Sequence, residues 1–173
     1  MIKADRIGEL SREELLQLTQ VYAKNWLAHD GSWFLSIEEK YGLAKTIEID
    51  IESWRKFTVI EAARLIEFLK LGKNSGVAGL KKALAFRLYA SLNEDEIVIV
   101  DENTLEYRVK TCRVQQARRR KKLADFPCQP VGQVEYSLFA KIIDERFTTE
   151  VVSCPPDITR PDYYCIWRFR LGA

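Results

Sequence analysis

Leu105-Glu106-Tyr107-Arg108-Val109-Lys110-Thr111 alternates apolar or β-branched residues with charged ones. A period of two is the mark of a strand with one face buried and one face wet. Upstream of it, Ile97 to Val100 is a short β-branched run, and Asp101-Glu-Asn-Thr104 is a turn. Together they predict a β-hairpin.

Working downstream, a basic helix is expected over about 112–124. Pro127 and Pro130 flank a tight link, and a further helix follows over 131–144. The segments 147–153 and 163–171 read as a second hairpin around the loop 155–162. In its last strand Tyr163, Cys165, Trp167, Phe169 and Leu171 share one face, while Arg168 and Arg170 share the other.

Upstream of the first hairpin the period becomes helical. Ser11-Arg-Glu-Glu14 has the pattern of a capping box, in which the serine and the glutamate satisfy each other's backbone N–H groups. Leu15, Leu18, Tyr22 and Trp26 then predict a helix over about 11–28, broken at His29-Asp30-Gly31-Ser32. Ser32 caps a short second helix that stops at Gly42. A long helix is expected over 43–71, with Ile47, Ile51, Trp54, Ala62, Leu65 and Leu69 on its apolar stripe. Leu80, Leu84 and Leu88 mark another, ending near Leu92.

The layout is therefore α+β, with an N-terminal helical half (1–92) followed by ββααββ (93–173) in one domain. Two hairpins bracketing a helix pair predict one antiparallel sheet packed against helices. A length of 173 residues with 47% hydrophobic and 30% charged residues supports a sizeable core. No apolar run approaches the roughly 18 residues of a membrane span. The polar stretch from Met1 to Glu14 lacks the pattern of a signal peptide, so a cytoplasmic protein is expected. Its four cysteines, Cys112, Cys128, Cys154 and Cys165, would then be reduced thiols.

Those cysteines are the first source of chemistry. Cys112 and Cys128 fall near expected helix N-termini, where free N–H groups and the helix dipole favour a thiolate. Cys154 precedes the stiff turn Pro155-Pro156-Asp157. The bland alternative is that all four are small buried hydrophobes. A zinc site has weak support, because no Cys-x-x-Cys pair is present. Strand parity also puts Cys165 inward and Cys154 outward, unless a bulge intervenes. No metal or other cofactor is expected.

His29 is the sole histidine, and Asp30 beside it could orient it; helix capping is the simpler role. Residues 108–122 hold eight basic residues and no acid. Nucleic-acid binding is one meaning and a solvated helix face the other. The net charge of only +2, with Glu94, Asp95, Glu96, Asp101 and Glu102 nearby, weighs against nucleic acid. Arg113 and Gln116, on a helical face apart from Arg118 and Lys122, could instead fix a carboxylate.

Three stretches resemble a group of bacterial and archaeal cytosolic proteins with no established activity. The first is His29-Asp-Gly-Ser-Trp-Phe34 with Glu38, Gly42, Asp50, Trp54 and Glu61-Ala62-x-Arg64-Leu65. The second runs from Cys112 through Arg113, Gln116, Ala117 and Arg118 to Asp125-Phe-Pro-Cys128. The third is Cys154-Pro-Pro-Asp157 with Tyr164-Cys165-x-Trp167-x-Phe169. In the C-terminal half, a cysteine, an aspartate and a late cysteine on an aromatic strand resemble the aminothiazoline-carboxylate hydrolase family, which opens a small sulfur heterocycle. The ββααββ order is also similar to vinyl-reductase-type ligand-binding domains, which hold small ligands between sheet and helices. Fold alone does not fix function.

These observations give an expected pocket for a small anionic molecule between the sheet and the helices over 112–145. Tyr163, Trp167 and Phe169 would wall it, with Cys165 on the same strand face. Cys112, Arg113, Gln116, Cys128, Cys154 and Asp157 would supply its polar chemistry. An enzyme built this way would hydrolyse a C–N or C–S bond, with Cys154 as nucleophile or electrophile-binding thiolate, Asp157 as proton carrier or orienter, and Cys112 as a further catalytic thiol. The alternatives are a ligand-binding or sensor domain on the same pocket, and a metal- or nucleic-acid-binding module. A small-molecule ligand is the expected partner, nucleic acid and membrane are not, and a homodimer is compatible with the sequence.

Overall fold

The computed structural model describes residues 4–172, so the first three residues of the polar N-terminal stretch lie outside it. After a 3-10 turn at Ile7–Glu9, helix α1 spans Arg12–Tyr41 and α2 spans Leu43–Leu69. Helix α3 (Gly76–Leu84) and a 3-10 turn at Leu88–Ser91 complete the helical half. Then come β1 (Glu94–Asp101), β2 (Thr104–Thr111), α4 (Arg113–Arg120), α5 (Gln129–Ile143), β3 (Phe147–Ser153) and β4 (Cys165–Leu171). The expected α+β order, a helical half and then ββααββ, is the one observed. Among the described residues, no helix is long and apolar enough to cross a membrane.

The expected capping box at Ser11 and Glu14 forms with both of its hydrogen bonds. The expected break at residues 29–32 does not occur. Helix α1 continues through it, and Ser32 turns its hydroxyl back onto the Ala28 carbonyl at 2.8 Å instead of capping a new helix. A glycine inside a helix costs only about 1 kcal/mol, which a long helix tolerates. At Gly42 the chain turns with φ +79°, a value that L side chains rarely adopt, and α2 begins.

The four strands form one antiparallel sheet in the order β1-β2-β4-β3. Leu105 pairs with Phe169 and Tyr107 with Trp167, which places these buried side chains on one face. Helix α5 covers that face with Tyr136, Phe139, Ala140 and Ile143. It lies close because Gly132 has no side chain: a Cβ there would stand 2.4 Å from Trp167 Cζ2. Helix α2 packs behind α5, and α1 packs on α2. A second cluster around Trp54, Phe126 and Val131 joins the helical half to the link before α5.

The other sheet face is a ladder of charges. Glu106 accepts from Arg168 at 2.6 and 2.8 Å and from Arg108 at 2.7–2.8 Å. Glu96 takes Lys110 at 3.0 Å and the Tyr163 hydroxyl at 2.7 Å. Tyr163 thus precedes β4 and lies on the charged face, beside Arg108, not on the inward face expected for it.

The parity expected of Cys154 is also overturned. β3 and β4 pair in one register through Val151–Trp167, then slip by a residue so that Ser153 meets Ile166. This bulge turns Cys154 onto the face that carries Cys165. Cys154 is buried, 1% exposed.

Candidate functional site

A cavity of about 410 Å³ lies between the two halves of the chain. The middle of α1 walls one side through Leu27, Ala28, Asp30, Gly31, Phe34 and Leu35. Asp50 and Trp54 come from α2, Tyr89 from the 3-10 turn, and Cys112, Arg113 and Gln115 from the start of α4. The first turns of α5 contribute Val131, Gly132, Glu135 and Tyr136. Val109, Cys165 and Trp167 close it from the sheet. Among the described residues, the indole Nε1 of buried Trp167 finds no hydrogen-bond partner.

All four cysteines line this one cavity. Cys128, at the N-terminal cap of α5, lies with its sulfur 3.6 Å from that of Cys154. The hydrogen bond from Cys154 holds the Cys128 thiol below its ordinary pKa against the effect of burial. The same bond, followed by one to Cys165 and by burial, pushes the Cys154 thiol far up. Cys112 caps α4, as its place in the sequence suggests, yet it is no thiolate. Burial pushes it up to about 12 and outweighs the backbone N–H groups of Gln115 and Val114. Helix N-termini are the expected source of activation for both thiols, but at Cys128 the lowering comes first from the Cys154 hydrogen bond, and at Cys112 the helix is outweighed. Desolvation is the reason, because it disfavours the charged form more than a short helix's first turn favours it.

Gln115 replaces Gln116 as the glutamine of the site. Its buried amide donates to the Phe126 carbonyl at 2.8 Å and accepts from the Phe126 N–H at 2.9 Å. The same nitrogen is 3.8 Å from Cys128 Sγ. Gln116 stays off the cavity and meets Arg113 Nη1 at 3.4 Å. Asp157 is exposed and touches Cys154 only through backbone, the Cys154 N–H donating to its carbonyl at 3.2 Å. Its carboxylate does not reach the cavity wall. Phe169 is fully buried in the core and Tyr163 sits on the far sheet face, so neither walls the cavity. Of the expected residues, the structure gathers Cys112, Arg113, Cys128, Cys154, Cys165 and Trp167.

His29 is exposed and is not in the cavity wall; its neighbour Asp30 is half-buried in that wall. Burial raises the Asp30 carboxyl, with His29 opposing. Burial, then the charges of Asp30 and Glu135, push Asp50 up to about 7. Burial also takes Glu135 to about 7 against the pull of Arg87. Arg87 bonds Glu61 at 2.6 and 3.0 Å and lies 2.6 Å from Glu135 Oε1, an ion contact outside hydrogen-bond alignment. Glu135, Gln115 and Tyr89 carry no sequence signal of a site; only their convergence from three elements makes them part of one. Among the described residues, no group of three or more His, Cys, Asp or Glu is spaced to hold a metal ion.

Half of the basic run, Arg108, Lys110, Arg118 and Arg119, is paired with acids of the protein itself. Arg118, 5% exposed, is not on a solvated face: it grips Glu38 of α1 and donates to the Ala124 carbonyl at 2.8 Å. Arg119 pairs with Asp125 at 2.6 and 2.8 Å and bonds the Tyr164 hydroxyl at 2.8 Å. Arg113, Arg120 and Lys121 line the cavity instead.

No curated protein matches the chain. The profile of a family of unknown function, DUF6125, matches residues 8–171, across both the helical half and the sheet. The chain belongs to the DUF6125 family.

Proposed function

We propose that the cavity binds a small molecule that is apolar over most of its surface and carries one anionic group. The carrying observation is a volume of about 410 Å³ lined mostly by aromatic and aliphatic side chains, with Arg113, Arg120 and Lys121 in its wall. Small-ligand pockets run from about 300 to 1,000 Å³ and combine such a lining with a few convergent polar groups. The cations would meet the anionic group, and the protonated forms of Asp30 and Asp50 could donate to uncharged acceptors on the ligand. A panel of aromatic and heterocyclic carboxylates, each paired with its amide, tests this through the melting temperature. Carboxylates should raise Tm, their amides should raise it less, and Arg113→Ala should remove the difference. A panel without effect, or amides that match the acids, sinks the proposal.

A second reading is hydrolysis at a C–N or C–S centre in the same cavity. The lowered Cys128 thiol favours it, and the nucleophile then moves from Cys154 to Cys128. Glu135, whose charge acts on Cys128, takes the proton-carrying role for which Asp157 is badly placed. Turnover of a bound carboxylate that Cys128→Ser abolishes, with its Tm shift preserved, would separate this enzyme from a pure binding protein.

A further inference from the structure

We infer that Cys128 and Cys154 form a redox-active dithiol that reduces organic hydroperoxides, Cys128 attacking the peroxide and Cys154 resolving the product as an intramolecular disulfide. This does not rest on the anionic-ligand proposal. Three features carry it. The two sulfurs are 3.6 Å apart. A disulfide needs about 2.05 Å between sulfurs, so closure by roughly 1.5 Å is within reach of side-chain rotation. The backbones are tied at the adjacent residues, where the Gln129 N–H donates to the Pro155 carbonyl at 3.2 Å. This bond holds the cap of α5 against the strand end that carries Cys154.

The second feature is the division of exposure. Both line the cavity, but Cys128 is half-buried whereas Cys154 is only 1% exposed. An attacking thiol must be met by the peroxide; a resolving thiol need only be met by its partner. The third is the electrostatic asymmetry of the pair, in which Cys154 keeps its proton and Cys128 gives its own up more readily. The thiolate is the nucleophile in such chemistry. The apolar lining of the cavity favours an organic hydroperoxide over hydrogen peroxide.

The chemistry balances without a metal or cofactor. The Cys128 thiolate attacks the terminal peroxide oxygen of ROOH. An S–O bond forms, the O–O bond breaks, and RO⁻ takes a proton to leave as ROH. Cys128 is then a sulfenic acid, oxidised by two electrons. The Cys154 sulfur attacks it, forming the S–S bond. Hydroxide leaves and combines with the Cys154 proton as water. One chain thus reduces one peroxide, and a small dithiol reductant restores the pair by thiol–disulfide exchange.

The test uses the reduced full-length chain and one equivalent of cumene hydroperoxide. Free thiols are titrated, and disulfides are mapped under non-reducing conditions. Arg160 precedes Pro161, so trypsin leaves Cys154 and Cys165 on one peptide; cleavage at Asp157 and Asp162 separates them. We expect two thiols lost per chain, one cumyl alcohol formed and a Cys128–Cys154 link as the main product. In Cys154→Ser, dimedone should label Cys128. The urea-unfolded chain, which needs no variant, should lose thiols more slowly. A main product linking Cys154 to Cys165, a link between chains, or equal rates for folded and unfolded protein overturns the assignment.

Discussion

Arg118 holds Glu38 with both of its terminal nitrogens, at 2.6 and 3.0 Å, and so fastens the basic helix α4 to the long helix α1. The pair also draws the Glu38 carboxyl below its ordinary pKa, the Arg118 hydrogen bond being the main cause. Truncation would leave Glu38 and the Ala124 carbonyl without their donor. Hydrogen bonds to charged groups are worth about 1.5–3 kcal/mol each in net stability. Arg118→Ala should therefore destabilise the fold by about 2 kcal/mol. Lys122→Ala, at an exposed position, should stay within about 0.5 kcal/mol. Denaturant midpoints for the two variants decide it, and equal small shifts would mean that Arg118 is only a surface charge.

Gly132 meets the six-membered ring of Trp167 where no side chain would fit. The indole is itself stacked on Tyr136, with ring centroids 4.8 Å apart, and cannot simply retreat. Gly132→Ala should cost at least about 1–3 kcal/mol, the usual range for overpacking. It should also shift the tryptophan fluorescence. A stable variant with an unchanged spectrum would show that α5 can lift off the sheet.

Asp50 and Glu135 are each pushed up to about 7, burial being the first cause in both. An unfolded chain releases such protons near pH 4. Between about pH 4 and pH 7 the folded protein therefore binds more protons than the unfolded one. Its stability should fall as pH rises through that window and level off above it. Asp50→Asn removes one of the two contributions and should flatten the profile. Urea midpoints at about pH 5 and about pH 8 test the sign, and a higher midpoint at the upper pH would contradict it.

Cys128 should be the first thiol alkylated by iodoacetamide near neutral pH, and Cys112 should lag well behind it. Both cap helices, but burial takes Cys112 up to about 12 while Cys154 holds Cys128 down. Mass-spectrometric mapping over time gives the order. Cys112 or Cys165 reacting first would show that the Cys128–Cys154 contact does not govern reactivity.

Where a pattern is local, the sequence speaks for the structure. The alternation of Leu105 to Thr111 lies in β2, and Ser11 with Glu14 forms its box. The stripe of α2 is buried at Trp54 and Ala62. Errors begin where a single residue changes a phase. Gly31 and Ser32 carry every mark of a break, yet the helix runs on because its next turns find packing partners. One extra residue near Val151 reverses the face of Cys154. A step from Gln116 to Gln115 rotates the glutamine by about 100° around α4. The carboxyls of Asp30, Asp50 and Glu135 stand on three different helices, and no spacing along the chain could announce that they share a wall.

Helix α1 has no fully buried residue, although its middle forms one wall of the cavity. The other walls, α5 and the sheet, hold the fully buried core. Local opening takes its toll in proportion to the apolar contacts broken, so the least anchored wall moves first. Amide hydrogen exchange should therefore be fastest, among the elements lining the cavity, in the Leu27–Leu35 stretch of α1, and slowest in α5. Motion around the cavity is then one-sided: the outer helix loosens first, while the thiols of Cys128, Cys154 and Cys165 sit against the part of the molecule that stands still.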